Sequence, residues 1–216
     1  MNVEFRSRRP RRWEFVAWRC VDVVAAAVLL VVLAPLMALI ALAVRLGSRG
    51  PVLFRQTRIG VGGRPFPMYK FRTMRPGGSD DDLRALIVRE LAGEDTVVDG
   101  STKLVAADRV TSVGRWLRAT SLDELPQLYN VLRGDMSLVG PRPCLDWEAE
   151  LFPPDTSSRF DVLPGMTGLW QVSGRSALTT PEMLRLDVVY VRGWGFWRNV
   201  RILAATVPAL TRGRAR

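Results

Sequence analysis

The sequence predicts an α+β protein: a small, mostly helical domain with one β-hairpin, attached to an apolar N-terminal membrane segment. Three observations carry that prediction. An uncharged run from Val23 to Val44 has the length of a membrane-embedded helix. Two alternating stretches flank a glycine-rich turn after Pro51, and beyond them apolar residues recur mainly at helical spacing between Pro and Gly stops. The chain of 216 residues, 48% of them apolar, has room for one ordinary domain with a sizeable core plus a membrane element. The expected division is a basic segment with the membrane element over 1–49 and a single folded domain over 50–216.

Charge and composition narrow the chemistry. A formal charge of +10 admits nucleic acid, anionic lipid or phosphorylated small molecules as partners, and Lys70 and Lys103 are the only lysines in an excess made of arginine. Arginine suits bidentate phosphate contacts. Histidine is absent, which excludes a Ser-His-Asp triad, a histidine base and any histidine-ligated zinc. Cys20 and Cys144 are too few for a structural zinc site or a disulfide framework, and a reducing cytoplasm fits. Any metal must then take oxygen ligands, which favours Mg²⁺ or Mn²⁺.

The elements follow in order. Residues Arg6 to Arg19 are rich in arginine and carry Trp13, Phe15 and Trp18, the composition of a segment lying on an anionic membrane surface; nucleic acid is the competing partner there. The apolar run comes next, with Arg45, Arg49, Arg55 and Arg58 beyond it. Basic residues on both flanks frustrate the positive-inside tendency. Pro35 removes a helical hydrogen bond near the middle, so the segment can bend and return to the face it left; a kinked spanning helix is the other reading. Val52–Ile59 and Phe66–Phe71 read as the hairpin around a structural turn at Gly60–Gly63, with Lys70 and Arg72 on one face of the second strand. The acidic stretch from Pro76 to Ala106 reads as a solvated loop with one helix over Asp82–Leu91.

From Thr120 to Pro143 runs the stretch that organises the chain. Ser121, Asp123 and Glu124 favour a helix start, Pro126 is tolerated in its first turn, Leu125, Leu128, Tyr129 and Leu132 continue at helical spacing, and Gly134 stops it. An acidic pair is thereby held at a rigid helix start. Complementing the helix dipole is the plainer explanation of that pair. Downstream, Cys144–Asp161 reads as a polar connection with a short helix. The motif Pro164–Arg175 has glycines at 165, 168 and 174 that would let backbone approach a ligand. Leu184–Tyr190 is a helix or strand, and Trp194-Gly-Phe-Trp197 precedes an apolar helix over Val200–Leu210 suited to a membrane interface.

Taken together, Arg118, Asp123-Glu124, Gly140-Pro-Arg-Pro143, Tyr69-Lys-Phe-Arg-Thr-Met74 and Pro164–Arg175 make the chain resemble the bacterial sugar transferase family, the polyprenyl-phosphate phosphoglycosyltransferases, from about Arg19 to about Leu203. The chain looks like the small, minimal form. The resemblance implies a re-entrant helix-break-helix at Pro35, with Ala34 standing where relatives commonly have serine and Asn199 where they commonly have an acid. It implies a cytoplasmic phosphoglycosyltransferase domain on the inner face of the bacterial plasma membrane. Its partners would be a UDP-sugar, polyprenyl phosphate and membrane lipid rather than nucleic acid, and a homo-oligomer is compatible. Asp123 would be the nucleophile forming a phosphosugar aspartyl intermediate and a ligand of Mg²⁺ or Mn²⁺. Glu124 would be its partner, as base or as metal-orienting group. Lys70, Arg72, Arg118, Arg142 and Arg175 would contact phosphate. Cations are needed because two like charges about 4 Å apart repel by roughly 4 kcal/mol near a surface. A single-displacement transferase is the enzymatic alternative, and a non-catalytic membrane-anchored basic protein binding anionic lipid or nucleic acid is the alternative from another class.

Overall fold

Helix α1 (Arg12–Val32) and helix α2 (Ala34–Gly47) enclose the apolar run and are separated by the single residue Leu33. The computed structural model describes residues 12–75, 77, 80–96, 109–174 and 177–212. Pro35 explains why the break falls where it does. A proline ring crowds the carbonyl four residues back, here Val31, and leaves it without a helical donor, so the disturbance lands one turn upstream. The ladder resumes at once, with the Met37 N–H donating to Leu33 O at 2.8 Å.

The two helices bury opposite ends of the run. In α1, Glu14, Trp18, Asp22 and Ala26 recur every fourth residue and are buried; in α2 the buried residues are Ile40 and Val44. Between them Val28, Val31, Val32 and Leu39 are exposed, as are Leu42 and Leu46 further along. The inner stripe of α1 is stitched to the domain. Trp18 Nε1 donates to Ser137 Oγ at 3.0 Å, Asp22 Oδ1 accepts from the Leu138 N–H at 2.9 Å, and Arg19 donates to Leu132 O at 3.2 Å.

The hairpin forms as expected. Strand β1 (Leu53–Ile59) pairs antiparallel with β2 (Pro65–Phe71), Leu53 opposite Phe71 and Ile59 opposite Pro65, around a 3-10 turn at Val61–Gly63. Helix α3 (Asp81–Leu91) occupies the acidic stretch. It is tied into the domain by Glu90, which is buried and accepts from the Thr180 N–H at 2.7 Å, the Thr180 hydroxyl, and Thr96 Oγ1 at 2.9 Å. The rest of the acidic stretch, from 97 on, lies outside the described residues. Helix α4 (Ser112–Thr120), capped by Thr111, leads into the central stretch, which ends in α5 (Gln127–Arg133) and Gly134 at φ 93. The left-handed φ at that stop is what glycine tolerates at least cost.

A second strand pair differs from the sequence expectation. Strand β3 (Ser137–Val139) pairs in parallel with β4 (Gly165–Thr167), and the glycines read as a ligand approach instead let the two backbones meet. A Cβ on Gly165 would lie 2.0 Å from the Gly140 nitrogen, closer than any side chain can stand. Helix α6 (Asp146–Leu151), a 3-10 segment at Pro154–Asp161 and α7 (Leu169–Ser173) follow. Leu184–Tyr190 falls within helix α8 (Thr180–Arg192), and α9 (Phe196–Arg212) closes the fold. The larger core gathers Trp18, Phe66, Met68, Leu128, Val131 and Tyr190 among others, and a smaller one joins Ile40 and Val44 of α2 to Phe71 and Leu117.

Candidate active site

The acidic pair sits on a turn rather than inside a helix. After α4 the chain passes through Ser121 at φ 57, the one non-glycine residue with positive φ among those described, then makes a 3-10 turn over Leu122–Glu124 before Pro126 begins α5. Three residues per turn stack Leu122 over Leu125. Both leucines pack into the small core, and Leu125 touches the large one as well. Asp123 and Glu124 therefore project from the remaining sides of the turn. Left-handed serine is a strained conformation, and strain of this kind collects at functional sites.

The two carboxylates are treated differently by their surroundings. Glu124 Oε1 accepts from Lys70 Nζ at 3.3 Å and from Arg142 Nη1 at 3.2 Å. Burial alone would raise Glu124, but Arg142 and Lys70 overcome it and hold the carboxyl below its usual value. Asp123 makes no ion pair among the described residues. Burial and the charge of Glu124 push it above its usual value, against the pull of Lys70 and Arg142. Lys70 is lowered by burial and by Arg142. Arg142 is raised, first by Glu124.

The cations come from two directions. Lys70 is on β2, which Asn130 of α5 clamps through side-chain bonds to the Tyr69 N–H at 3.1 Å and to Pro67 O at 2.7 Å. Asn130 is fully buried. Sequence reasoning missed it, although a polar residue between Leu128 and Val131 on the inner face of α5 is a visible signal. Arg142 is carried by the Gly140–Pro143 loop that leaves β3.

The other expected phosphate contacts lie elsewhere. Arg72 follows the last residue of β2, so strand alternation no longer keeps it beside Lys70; its guanidinium is buried and donates to Ser48 O at 2.7 Å and Ser48 Oγ at 3.0 Å, tying down the end of α2. Arg118 is exposed in the last turn of α4, with Nη1 on Met74 Sδ at 3.6 Å. Arg175 lies outside the described residues. Asn199 is buried and accepts from the Tyr190 hydroxyl at 2.9 Å, a bond that joins α9 to α8.

Among the described residues, no group of three or more Asp, Glu or Cys side chains is gathered that could cage an ion. Magnesium does not demand one, since it is commonly held by one or two carboxylates plus substrate phosphates and water. Asp123, with no cation on it, is the donor that fits.

An apolar N-terminal helix is thus joined to a small helical domain in which a carboxylate pair is answered by cations. The chain belongs to the bacterial sugar transferase family, whose model matches residues 13–213. Among its relatives, the UDP-glucose:undecaprenyl-phosphate glucose-1-phosphate transferase of Caulobacter vibrioides is 46% identical over 202 residues, covering 89% of this chain and 68% of that protein. The exopolysaccharide production protein ExoY of Rhizobium meliloti is 39% identical, over 92% of this chain and 87% of that one. The undecaprenyl-phosphate galactose phosphotransferase of Salmonella typhimurium is 39% identical over 90% of this chain, which spans only 40% of its length. The chain is thus an enzyme of the sugar-phosphate transferase class.

Proposed function

We propose that the protein transfers a sugar-1-phosphate from a UDP-sugar to an undecaprenyl-type polyprenyl phosphate, through a covalent intermediate on Asp123. The observation that carries this is the asymmetry of the pair: two cations engage Glu124 and leave Asp123 with no ion pair among the described residues. An Asp123 carboxylate oxygen attacks the β-phosphorus of the UDP-sugar, the bond from that phosphorus to the bridging oxygen breaks, and UMP leaves with the electron pair. A phosphate oxygen of the polyprenyl phosphate then attacks the same phosphorus and releases Asp123, giving polyprenyl-diphosphate-sugar. Burial, and then the charge of Glu124, holds the Asp123 carboxyl above its usual value, and a less solvated carboxylate is a better nucleophile than a fully solvated one. Lys70 and Arg142 offset the charge that builds on the phosphoryl oxygens, and Glu124 holds both in place. A divalent ion bound with the substrate on Asp123 would neutralise further diphosphate charge.

The way the flanks are fastened supports a re-entrant topology. Trp18 and Asp22 of α1 and Ile40 and Val44 of α2 all pack on the one domain, which favours both ends of the apolar run being on that domain's side of the membrane. The exposed apolar residues around Leu33, among them Val28, Val31, Val32 and Leu39, would then enter lipid as a re-entrant hairpin. The domain over 50–216 then faces the cytoplasm, where both basic flanks favour it by about 1 kcal/mol for each Lys or Arg near anionic lipid.

The test is chemical trapping. A UDP-sugar labelled in the sugar, given to the protein without acceptor, should leave a covalent adduct that mass spectrometry maps to Asp123 and that is missing in Asp123→Asn. An adduct at wild-type level in Asp123→Asn, or wild-type turnover with no adduct in any variant, removes the proposed intermediate; the second result would establish direct displacement.

A further inference from the structure

The loop that presents Arg142 contains Pro141 and Pro143, which have no N–H to give, so it is held largely through its carbonyls. All four in a row are bonded. Pro141 O accepts from the Gly165 N–H at 2.8 Å, Arg142 O from Arg159 Nη2 at 2.8 Å, Pro143 O from Arg58 Nη1 at 3.4 Å, and Cys144 O from the Ile59 N–H at 2.9 Å. Two of these donors are ion-paired arginines, and the one on the Arg142 carbonyl gives the shorter bond and is the more deeply buried. That bond comes from a charged side chain only 6% exposed, brought in on the 3-10 segment and itself held by Asp187 of α8, whose side chain is 3% exposed. Arg159 places both Nε and Nη2 on Asp187 Oδ2, at 3.3 and 3.0 Å, and its guanidinium lies over the rings of Phe152 and Phe160 at 4.8 and 5.4 Å.

We infer that the buried Arg159–Asp187 pair is a positioning device for the reaction: it fixes the backbone of Arg142 so that the Arg142 guanidinium meets Glu124 and the substrate phosphate. This rests on the reading of Arg142 as a phosphate contact. Three features argue for it. The donor is the same Nη2 that also binds Asp187, so Asp187 sets the direction in which Arg159 reaches the loop. The two aromatic rings it lies over restrict the freedom of the guanidinium to swing. The pair is also a poor stabiliser, because Arg159 Nη1 and Asp187 Oδ1 find no hydrogen-bond partner among the described residues. Burial drives the Asp187 carboxyl up to about 6 against the pull of Arg159. Buried ion pairs of that kind are often replaced by apolar residues without loss of stability. What an apolar replacement cannot supply is a donor for the Arg142 carbonyl.

That contrast defines the experiment. In the full-length protein in lipid nanodiscs, the double variant R159M/D187L is compared with the parent for melting temperature and for kcat, once with Arg142 present and once in an Arg142→Ala background. The expected result is a melting temperature close to that of the parent and a kcat lowered by about 10²-fold, the scale of a misplacement near 1 Å. In the Arg142→Ala background the same double variant should lose no more than about twofold, since nothing remains to be positioned. A pair that is merely structural would lower kcat by the same factor in both backgrounds; that result, or no loss with Arg142 present, overturns the inference. If R159M/D187L does not fold, Asp187→Asn, which keeps the shape and an acceptor oxygen, is put through the same cycle with the same criteria. Unchanged turnover in Arg142→Ala alone would instead remove Arg142 from the phosphate site, and the positioning role with it, while leaving the Asp123 adduct to be judged separately.

Discussion

Replacing either carboxylate should inactivate or slow the enzyme, yet the two replacements should move stability in opposite directions. Glu124→Ala removes the oxygen that Lys70 and Arg142 share at 3.3 and 3.2 Å and leaves two cations facing each other. A hydrogen bond to a charged group is worth about 1.5–3 kcal/mol when buried. The Arg142 side chain is 39% exposed, so its share is cut by solvent screening, and a total near 2 kcal/mol follows. For a chain of this length that is a melting temperature lower by about 4–8 °C. Asp123→Asn removes a charge that burial and Glu124 both disfavour. Relief of such active-site strain is commonly worth about 0.5–2 kcal/mol, here a rise of about 1–8 °C. The pH dependence has opposite signs as well. Asp123 is raised from 3.8, so its contribution to stability is present below 3.8 and lost as pH rises through its folded value. Glu124 is lowered from 4.5, so its contribution is present above 4.5 and lost as pH falls through its folded value. Thermal unfolding followed by tryptophan fluorescence at pH 7.5 and near pH 4 measures all of this. The advantage of Asp123→Asn should shrink at the lower pH. Two variants that shift the melting temperature in the same direction at pH 7.5 would refute the division of roles drawn from the ion pairs.

Topology and metal dependence can be checked more directly. With Cys20 and Cys144 replaced by serine, single cysteines in Ser7→Cys and Arg49→Cys should both resist a membrane-impermeant thiol reagent in intact cells; labelling of one alone would establish a spanning helix. Turnover should disappear in EDTA and return with Mg²⁺ or Mn²⁺, because Asp123 is a hard oxygen donor with no ion pair among the described residues. Full activity in metal-free buffer would remove the ion from the proposed reaction.

Local rules made much of this legible in the sequence. Alternation around a glycine turn predicted the hairpin to within a residue or two, and helical spacing closed by Gly134 predicted α5. Rules of that range end at the turn holding the pair. A helix start and a 3-10 turn share the same residue preferences, and only the packing of Leu122 and Leu125 into two cores selects between them. The pairing of β3 with β4 joins segments far apart in the chain and only three residues long each, too short for a periodic signal. Arg72 shows the limit most plainly. Its distance from Lys70 in sequence is right for a shared face, but the strand stops at Phe71 and the guanidinium turns back to Ser48.

That ending of β2 bears on how the site meets the membrane. Three consecutive residues serve three different masters: Lys70 holds Glu124, Phe71 is buried with Ile40 and Val44 of α2, and Arg72 clamps the chain where α2 ends. On the other side of the pair, Leu122 and Leu125 rest on the same small core. The turn bearing Asp123 is therefore packed directly against α2. On the proposed topology this fixes the height of the nucleophile above the lipid. A polyprenyl phosphate is anchored by its chain and can offer its phosphate only near the headgroup level, so a site held rigidly by α2 needs no large movement to receive it. On the proposed reaction a UDP-sugar, free in solution, is the substrate that has to be steered, and Lys70 and Arg142, the cations on Glu124, would supply that field.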